Sequence, residues 1–168
     1  MNVYYWKSKS IEDSRGIFSK IAVPNAAKYI DNFVLQDLFL TKSRKNVIRG
    51  MHLQVKEFSS NRIIHVSKGK INDLLLDLRG VKSREEITRF NEQIGPECEF
   101  DSIYVPAGVA HGFETLEEAE IIYLSDKVYS FTHDTGINPL SINFTWINSE
   151  PIISERDLNL PTLEEFLE

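Results

Sequence analysis

The stretch RIIHVSKGKINDLLLDLR, Arg62 to Arg79, holds two apolar runs on either side of a Ser-Lys-Gly-Lys turn. Both runs have strand length and a high content of Ile, Val and Leu, and the Lys68-Gly69 step between them predicts a hairpin over residues 66–71. Alternation in the second run places Leu74, Leu76 and Leu78 on one face and Asp73, Leu75 and Asp77 on the other. An antiparallel sheet follows, with one apolar face and one that keeps carboxylates.

The same grammar extends in both directions. Strand-like runs occur at GIFSKIAV (16–23), NFVLQDLFLT (32–41), NVIRGMHLQ (46–54), ITRFNEQI (87–94), DSIYVP (101–106) and EAEIIYLSDKVYS (118–130), with Gly, Pro, Asn and Ser between them. Many short strands at close spacing favour an antiparallel sandwich, barrel or jelly roll over an α/β fold. Helix is expected only in NAAKYIDN (25–32), after Pro24, and in the tail LPTLEEFLE (160–168), whose Pro is followed by acidic residues and which places Leu163 and Phe166 at helical spacing. No repeat, linker or low-complexity tract interrupts the chain. Its 168 residues, 42% of them hydrophobic, read as one domain over residues 1–168.

Composition removes several function classes. A net charge of −6 disfavours a nucleic-acid or anionic-membrane surface while leaving room for a local basic pocket. The single cysteine, Cys98, allows neither an internal disulfide nor a cysteine metal cluster. The opening MNVYYWKSKS lacks the basic start and apolar core of a signal peptide, and no apolar run approaches the roughly 18 residues of a membrane span. The expected location is the cytoplasm.

Two segments carry chemistry. In VIRGMHLQ (47–54) a strand places Arg49 and His52 around Gly50. Gly in a strand marks a bulge or a close approach to the backbone. By simple alternation His52 goes with Ile48, Gly50 and Gln54, and Arg49 goes with Val47 and Met51. The two reach one site only if the strand bulges at Gly50 or a second subunit supplies a wall. In YVPAGVAHGF (104–113) the spacing P-x-G-x-x-H at Pro106, Gly108 and His111 resembles the second motif of the cupin superfamily, which implies a double-stranded β-helix. A cupin metal site needs a third good ligand beside His52 and His111, and Gln54 stands where a second histidine would serve, so no metal is expected.

Chemistry without a metal requires a base, an acid and a group to hold developing negative charge. His52 suits the base, with Asp77 or Asp157 as the carboxylate that fixes its tautomer. Tyr123 suits the acid and shares its parity with Ile121 and Tyr129, so two tyrosines are expected to face one cavity. Arg62 or Arg49 suits an enolate oxygen or a phosphate. Asp77 is also expected beside His111. His65 and His133 read as strand or surface histidines.

In order, DSRGIF, NVIRGMHLQ, RIIHVSKGKINDLLLDLR, SIYVPAGVAHGF, EAEIIYLSDKVYS and ISERDLNLPTL resemble the dTDP-4-dehydrorhamnose 3,5-epimerase family, over residues 12 to 165. The resemblance implies an all-β cupin jelly roll with short peripheral and C-terminal helices, no cofactor, and epimerisation beside the C4 ketone of a nucleotide-linked 4-keto-6-deoxy sugar. It implies that His52 in R-G-x-H-x-Q is the base, Asp157 in S-x-[KR]-D its orienting carboxylate, and Tyr123 the acid. Arg62 stands where the family has a Lys near the sugar oxygen. Arg49, His111 and Asp77, with Gln54, Asp134 and Arg156, are implied substrate-site residues. Tyr129 is implied to stack on the base. Arg15 is implied to contact the nucleotide, in a homodimer whose N-terminal strands pass to the neighbour.

The chain departs from the family pattern at Lys20, at Asp37-Leu38-Phe39 where the family has Q-D-N, and in a shorter segment after Asp134. Other readings are a sugar 3,4-ketoisomerase, which Gln54 opposes, and a sugar-nucleotide binding protein, which His52, Asp157 and Tyr123 together oppose.

Overall fold

The computed structural model describes residues 2–21 and 33–168. Twelve strands occur among them: β1 (Tyr4–Trp6), β2 (Lys9–Asp13), β3 (Gly16–Lys20), β4 (Asp37–Ser43), β5 (Ile48–Gln54), β6 (Arg62–Lys68), β7 (Ile71–Asp77), β8 (Thr88–Ile94), β9 (Ser102–Val105), β10 (Val109–Thr115), β11 (Ala119–Ser125) and β12 (Asp134–Gly136). One sheet runs β1-β9-β6-β11-β4 and the facing sheet β12-β5-β10-β7-β8, while β2 and β3 form a separate ribbon. Every strand pair is antiparallel, giving the expected cupin-type jelly roll.

The interior core takes side chains from both sheets, among them Ile64 and Val66 of β6, Leu75 of β7, Ile103 of β9, Phe113 of β10 and Ile121 of β11. A second core lies outside the β12-β5-β10-β7-β8 sheet. There Ile48, Met51, Leu74 and Leu76 pack under Ile137, Ile142, Trp146 and Leu163 of the C-terminal segment. The middle strands of that sheet, β7 and β10, are therefore buried on both faces, so Asp73 is not on a solvated side: it is fully buried in the interior beside Leu75. A sheet covered on both faces loses the polar alternation that a half-exposed sheet shows.

Several expectations change. The turn at Lys68-Gly69 does not close a hydrogen-bonded hairpin, because β6 and β7 belong to opposite sheets. Gly69 is still required there: its φ is +75° and a Cβ would strike the Glu118 carbonyl. The strand expected at 16–23 ends at Lys20, and that at 32–41 is Asp37–Ser43. The long run 118–130 is strand only over Ala119–Ser125. Strands Tyr4–Trp6, Lys9–Asp13, Val109–Thr115 and Asp134–Gly136 were not expected; Val109–Thr115 carries His111-Gly112 in mid-strand, which blunts its periodicity. The helix expected at 25–32 lies outside the described residues.

The tail helix forms at Leu163–Leu167 and starts from Thr162, whose hydroxyl and the Glu165 carboxylate make a capping box. A second short helix, Glu155–Leu158, is N-capped by Ser154. Among the described residues no helix is long and apolar enough to cross a membrane.

Candidate active site

The functional segment of β5 is built by a bulge. Its register on β10 pairs His52 with His111 and Arg49 with Phe113, so three steps along β5 match two along β10. The extra residue reverses the alternation. Ile48, Met51 and Leu53 go to the outer core, while Arg49, His52 and Gln54 face the interior cavity. Gly50 makes this possible, with φ +129° and a backbone so close to Gly112 that a Cβ would overlap its Cα. One chain thus brings Arg49 and His52 together, and no second subunit is needed for it.

The cavity, of about 410 Å³, opens between the two sheets and is lined by Arg49, His52, Gln54, Arg62, His111, Tyr123, Tyr129, Asp134 and Arg156 among the expected residues. It is also lined by Asp37 and Phe39, which stand at the departure from the family's Q-D-N, and by Thr41, Phe113 and Lys127, which no sequence motif marks. Thr41 enters because β4 lies beside β11, and Phe39 pairs directly with Tyr123.

Behind His52 stands Asp157, 3% exposed, on the Glu155–Leu158 helix. His52 Nε2 donates to Asp157 Oδ1 at 2.8 Å, and the Gly50 N–H donates to Oδ2 at 3.3 Å. A carboxylate only accepts, so the proton of this bond sits on Nε2 and leaves Nδ1 with the lone pair. Burial raises the Asp157 pKa, but the His52 and Gly50 hydrogen bonds and the Arg156 charge outweigh it and hold the carboxyl below its usual range.

His111 is held by a different carboxylate from the one expected. Its Nε2 donates to Asp73 Oδ1 at 2.6 Å, and the Tyr5 hydroxyl reaches Asp73 Oδ2 at 3.5 Å. Asp77, expected beside His111 or His52, instead sits at the strand end in a two-point pair with Arg79. On β7 both aspartates point to the same side, but Asp73 lies deep in the sheet opposite Phe113 and Asp77 lies opposite Val109 at the rim.

Tyr123, 6% exposed, comes from β11 in the facing sheet. Burial pushes its phenol well above the usual range; the Thr41 hydroxyl and the Arg62 and Arg49 cations pull the other way, and Asp73 adds to the rise. Thr41 acts there as a nearby dipole, since its Oγ1 completes no hydrogen bond of good geometry. Arg62 donates through Nη2 to the carbonyls of His52 (3.2 Å) and Val109 (3.4 Å), and its Nε–H is buried with no partner among the described residues. Burial lowers the Arg62 pKa, against the opposing pull of Tyr123, Asp134 and Asp73.

At the mouth, Tyr129 is 57% exposed and donates to Asp134 Oδ2 at 3.2 Å, and Arg156 pairs with the same oxygen. Gln54 braces this loop: its Nε2 donates to the Phe58 and Val128 carbonyls and its Oε1 accepts from the Ser130 N–H. Arg15 lies outside the cavity, at the exposed turn of the β2–β3 ribbon, paired with Asp13. His65 is a buried strand histidine bonded to Ser102, and His133 contacts Ser130 and Glu57. Among the described residues no three His, Cys, Asp or Glu side chains form a group that could hold a metal ion.

A profile of the dTDP-4-dehydrorhamnose 3,5-epimerase family matches residues 1–165. The chain belongs to that family. To the dTDP-4-dehydrorhamnose 3,5-epimerase of Salmonella typhimurium it is 31% identical over 134 residues, which cover 76% of this chain and 70% of that one. The crystal structure of the Sulfolobus tokodaii dTDP-4-dehydrorhamnose 3,5-epimerase superposes with a TM-score of 0.83 at 31% identity, covering 95% of this chain and 89% of its own. The Bacillus anthracis dTDP-4-dehydrorhamnose 3,5-epimerase, crystallised with TDP and pyrophosphate bound, gives 0.81 at 27% identity, with 94% and 91% covered.

Proposed function

We propose that the protein is a metal-independent epimerase that inverts C3, or C3 and C5, of a nucleotide-linked 4-keto-6-deoxy sugar, in deoxysugar biosynthesis. One observation carries the reading: a histidine backed by a buried carboxylate and a buried tyrosine from the facing sheet line the same cavity, in a chain of this family.

The C4 ketone acidifies the protons on its neighbouring carbons. His52 takes one through Nδ1, and the C–H electron pair moves into the ring to give an enolate, with the negative charge on the former ketone oxygen. Asp157, held ionised, stabilises the imidazolium through Nε2–H. Arg62, with an unpartnered N–H, is the group we assign to the enolate oxygen. Tyr123, whose raised pKa keeps it protonated at neutral pH, gives its proton to the opposite face. The imidazolium then loses its proton and the phenolate regains one, both through solvent, so the cycle closes without net proton change. Acid and base are each worth roughly 10²–10⁴ in rate.

The nucleotide belongs at the mouth, with Tyr129 stacking on its base and Arg49, Lys127 and Arg156 beside its diphosphate. The exposed apolar side chains of the ribbon, Ile11, Ile17 and Phe18, support a homodimer in which N-terminal strands exchange and Arg15 serves the partner's site. We place this one-domain enzyme, residues 1–168, in the cytoplasm.

Proton NMR in deuterated water, with dTDP-, GDP-, UDP- and CDP-linked 4-keto-6-deoxy sugars, tests the reading. Loss of the C3 signal, alone or with C5, is expected with one nucleotide. No exchange with any of them overturns it.

A further inference from the structure

Tyr123 owes its setting to one side chain that the reaction scheme does not use. Phe39 on β4 is its direct cross-strand partner, and the two rings stack with centroids 4.7 Å apart and planes at 8°. The His111 ring meets the phenol edge-on at 6.3 Å and 60°. The phenol ring is thus clamped between a parallel aromatic face and an aromatic edge, both favoured arrangements.

The exposures differ in a telling way. Tyr123 is 6% exposed and Phe39 43%, and among the described residues β4 is the last strand of its sheet. Leu38 and Leu40 alternate with Phe39 and are themselves exposed, whereas Phe39 and Thr41 line the cavity. Phe39 is therefore the panel that closes the cavity on the side of the edge strand. Without it the phenol would meet water there and its ring would be free to swing.

We propose that Phe39 is a positioning residue for Tyr123, holding the plane of the phenol and keeping water from it, so that the enolate is reprotonated by the tyrosine and not by solvent. This rests on the epimerase reading. Proton abstraction depends on His52 in the facing sheet and on Asp157 in the helix behind it, which Phe39 leaves untouched; the partition of the enolate depends on Phe39.

The test is Phe39→Ala, with Phe39→Trp as the variant that keeps the stack and Leu38→Ala as the control on the opposite face of the strand. In deuterated water the ratio of inversion to exchange at the reacting carbon is followed by NMR. Phe39→Ala is expected to keep its exchange rate and lose roughly three- to tenfold in that ratio, the factor set by an aromatic contact of about 0.7–1.4 kcal/mol. Phe39→Trp and Leu38→Ala are expected to stay near wild type. A ratio unchanged in Phe39→Ala, or exchange and inversion falling in step, overturns the proposal.

A second readout needs no substrate. Alkaline titration of the phenol by ultraviolet difference absorbance, against a Tyr123→Phe background, is expected to move to lower pH in Phe39→Ala as water reaches the ring. An unmoved titration refutes the shielding role. Wild-type protein that exchanges no sugar, with the titration shifted as expected, instead refutes the epimerase reading.

Discussion

Asp157→Asn isolates what the carboxylate does for His52. The change is nearly isosteric in a site where Asp157 is 3% exposed, so packing is preserved and the charge is lost. Two donors now point at it: His52 Nε2 at 2.8 Å and the Gly50 N–H at 3.3 Å. An asparagine has one acceptor oxygen for these two donors. If that oxygen keeps the Gly50 N–H, its NH₂ group faces Nε2 and forces the imidazole proton onto Nδ1, where the base is needed.

The lost charge-assisted hydrogen bond alone is worth about 1.5–3 kcal/mol, or roughly 10- to 150-fold in rate, and the wrong tautomer adds to it. In a serine-protease triad the same exchange costs about 10⁴-fold. Exchange of the sugar proton in deuterated water is expected to slow by at least about 10²-fold with KM nearly unchanged. A decrease under about threefold would refute the view that Asp157 orients and charges the base.

The same pair predicts a direction with pH. The Asp157 carboxyl is held below its unfolded value, so its stabilising contribution is complete above the unfolded pKa and is lost as pH falls through the folded one. Asp157→Asn should flatten the acid side of the stability profile measured by urea unfolding. An acid limb as steep as in the wild type would count against the pairing.

Three further outcomes are expected. Tyr123→Phe should keep washing deuterium into the substrate while losing roughly 10²–10⁴-fold in inversion, and full inversion in the variant would move the acid elsewhere. Gly50→Ala, which sets a Cβ against Gly112 at φ +129°, should cost at least about 2 kcal/mol in urea unfolding and abolish activity; a stable, active variant would refute the bulge as the device that joins Arg49 to His52. Mixing Arg15→Ala with His52→Asn should restore activity if N-terminal strands exchange, because one site of each mixed dimer then has both residues intact. Mixtures no more active than their components would argue that Arg15 serves no neighbouring site.

Much of the fold was legible because β-strands announce themselves locally. Runs such as Ile103–Val105 and Ile121–Leu124 are apolar, β-prone and bounded by turn residues, and these are properties of neighbours in the chain. The error at Lys68-Gly69 shows the boundary of such reasoning. The local sequence marks a tight turn equally well whether the next strand pairs back or crosses to the other sheet, and only the packing of both sheets around the Ile64–Leu75–Phe113 core selects the crossover. Asp77 reads from the sequence as the carboxylate beside His111, where Asp73 serves, for a similar reason: parity is equal at both positions, and depth in the sheet is not written in parity.

By itself the sequence determined an all-β chain, the family and the set of residue types that acid–base chemistry needs, because strand periodicity and motif spacing are short-range. Tertiary structure alone decided which side chains meet. The bulge that turns Arg49 and His52 to one side exists because Gly50 and Gly112, far apart in the chain, touch backbone to backbone. The choice of Asp73 for His111, the burial of β7 and β10 on both faces and the stacking of Phe39 on Tyr123 are likewise set by which strands become neighbours. Register and layer order arise from the simultaneous burial of distant apolar faces, which no local window of sequence contains.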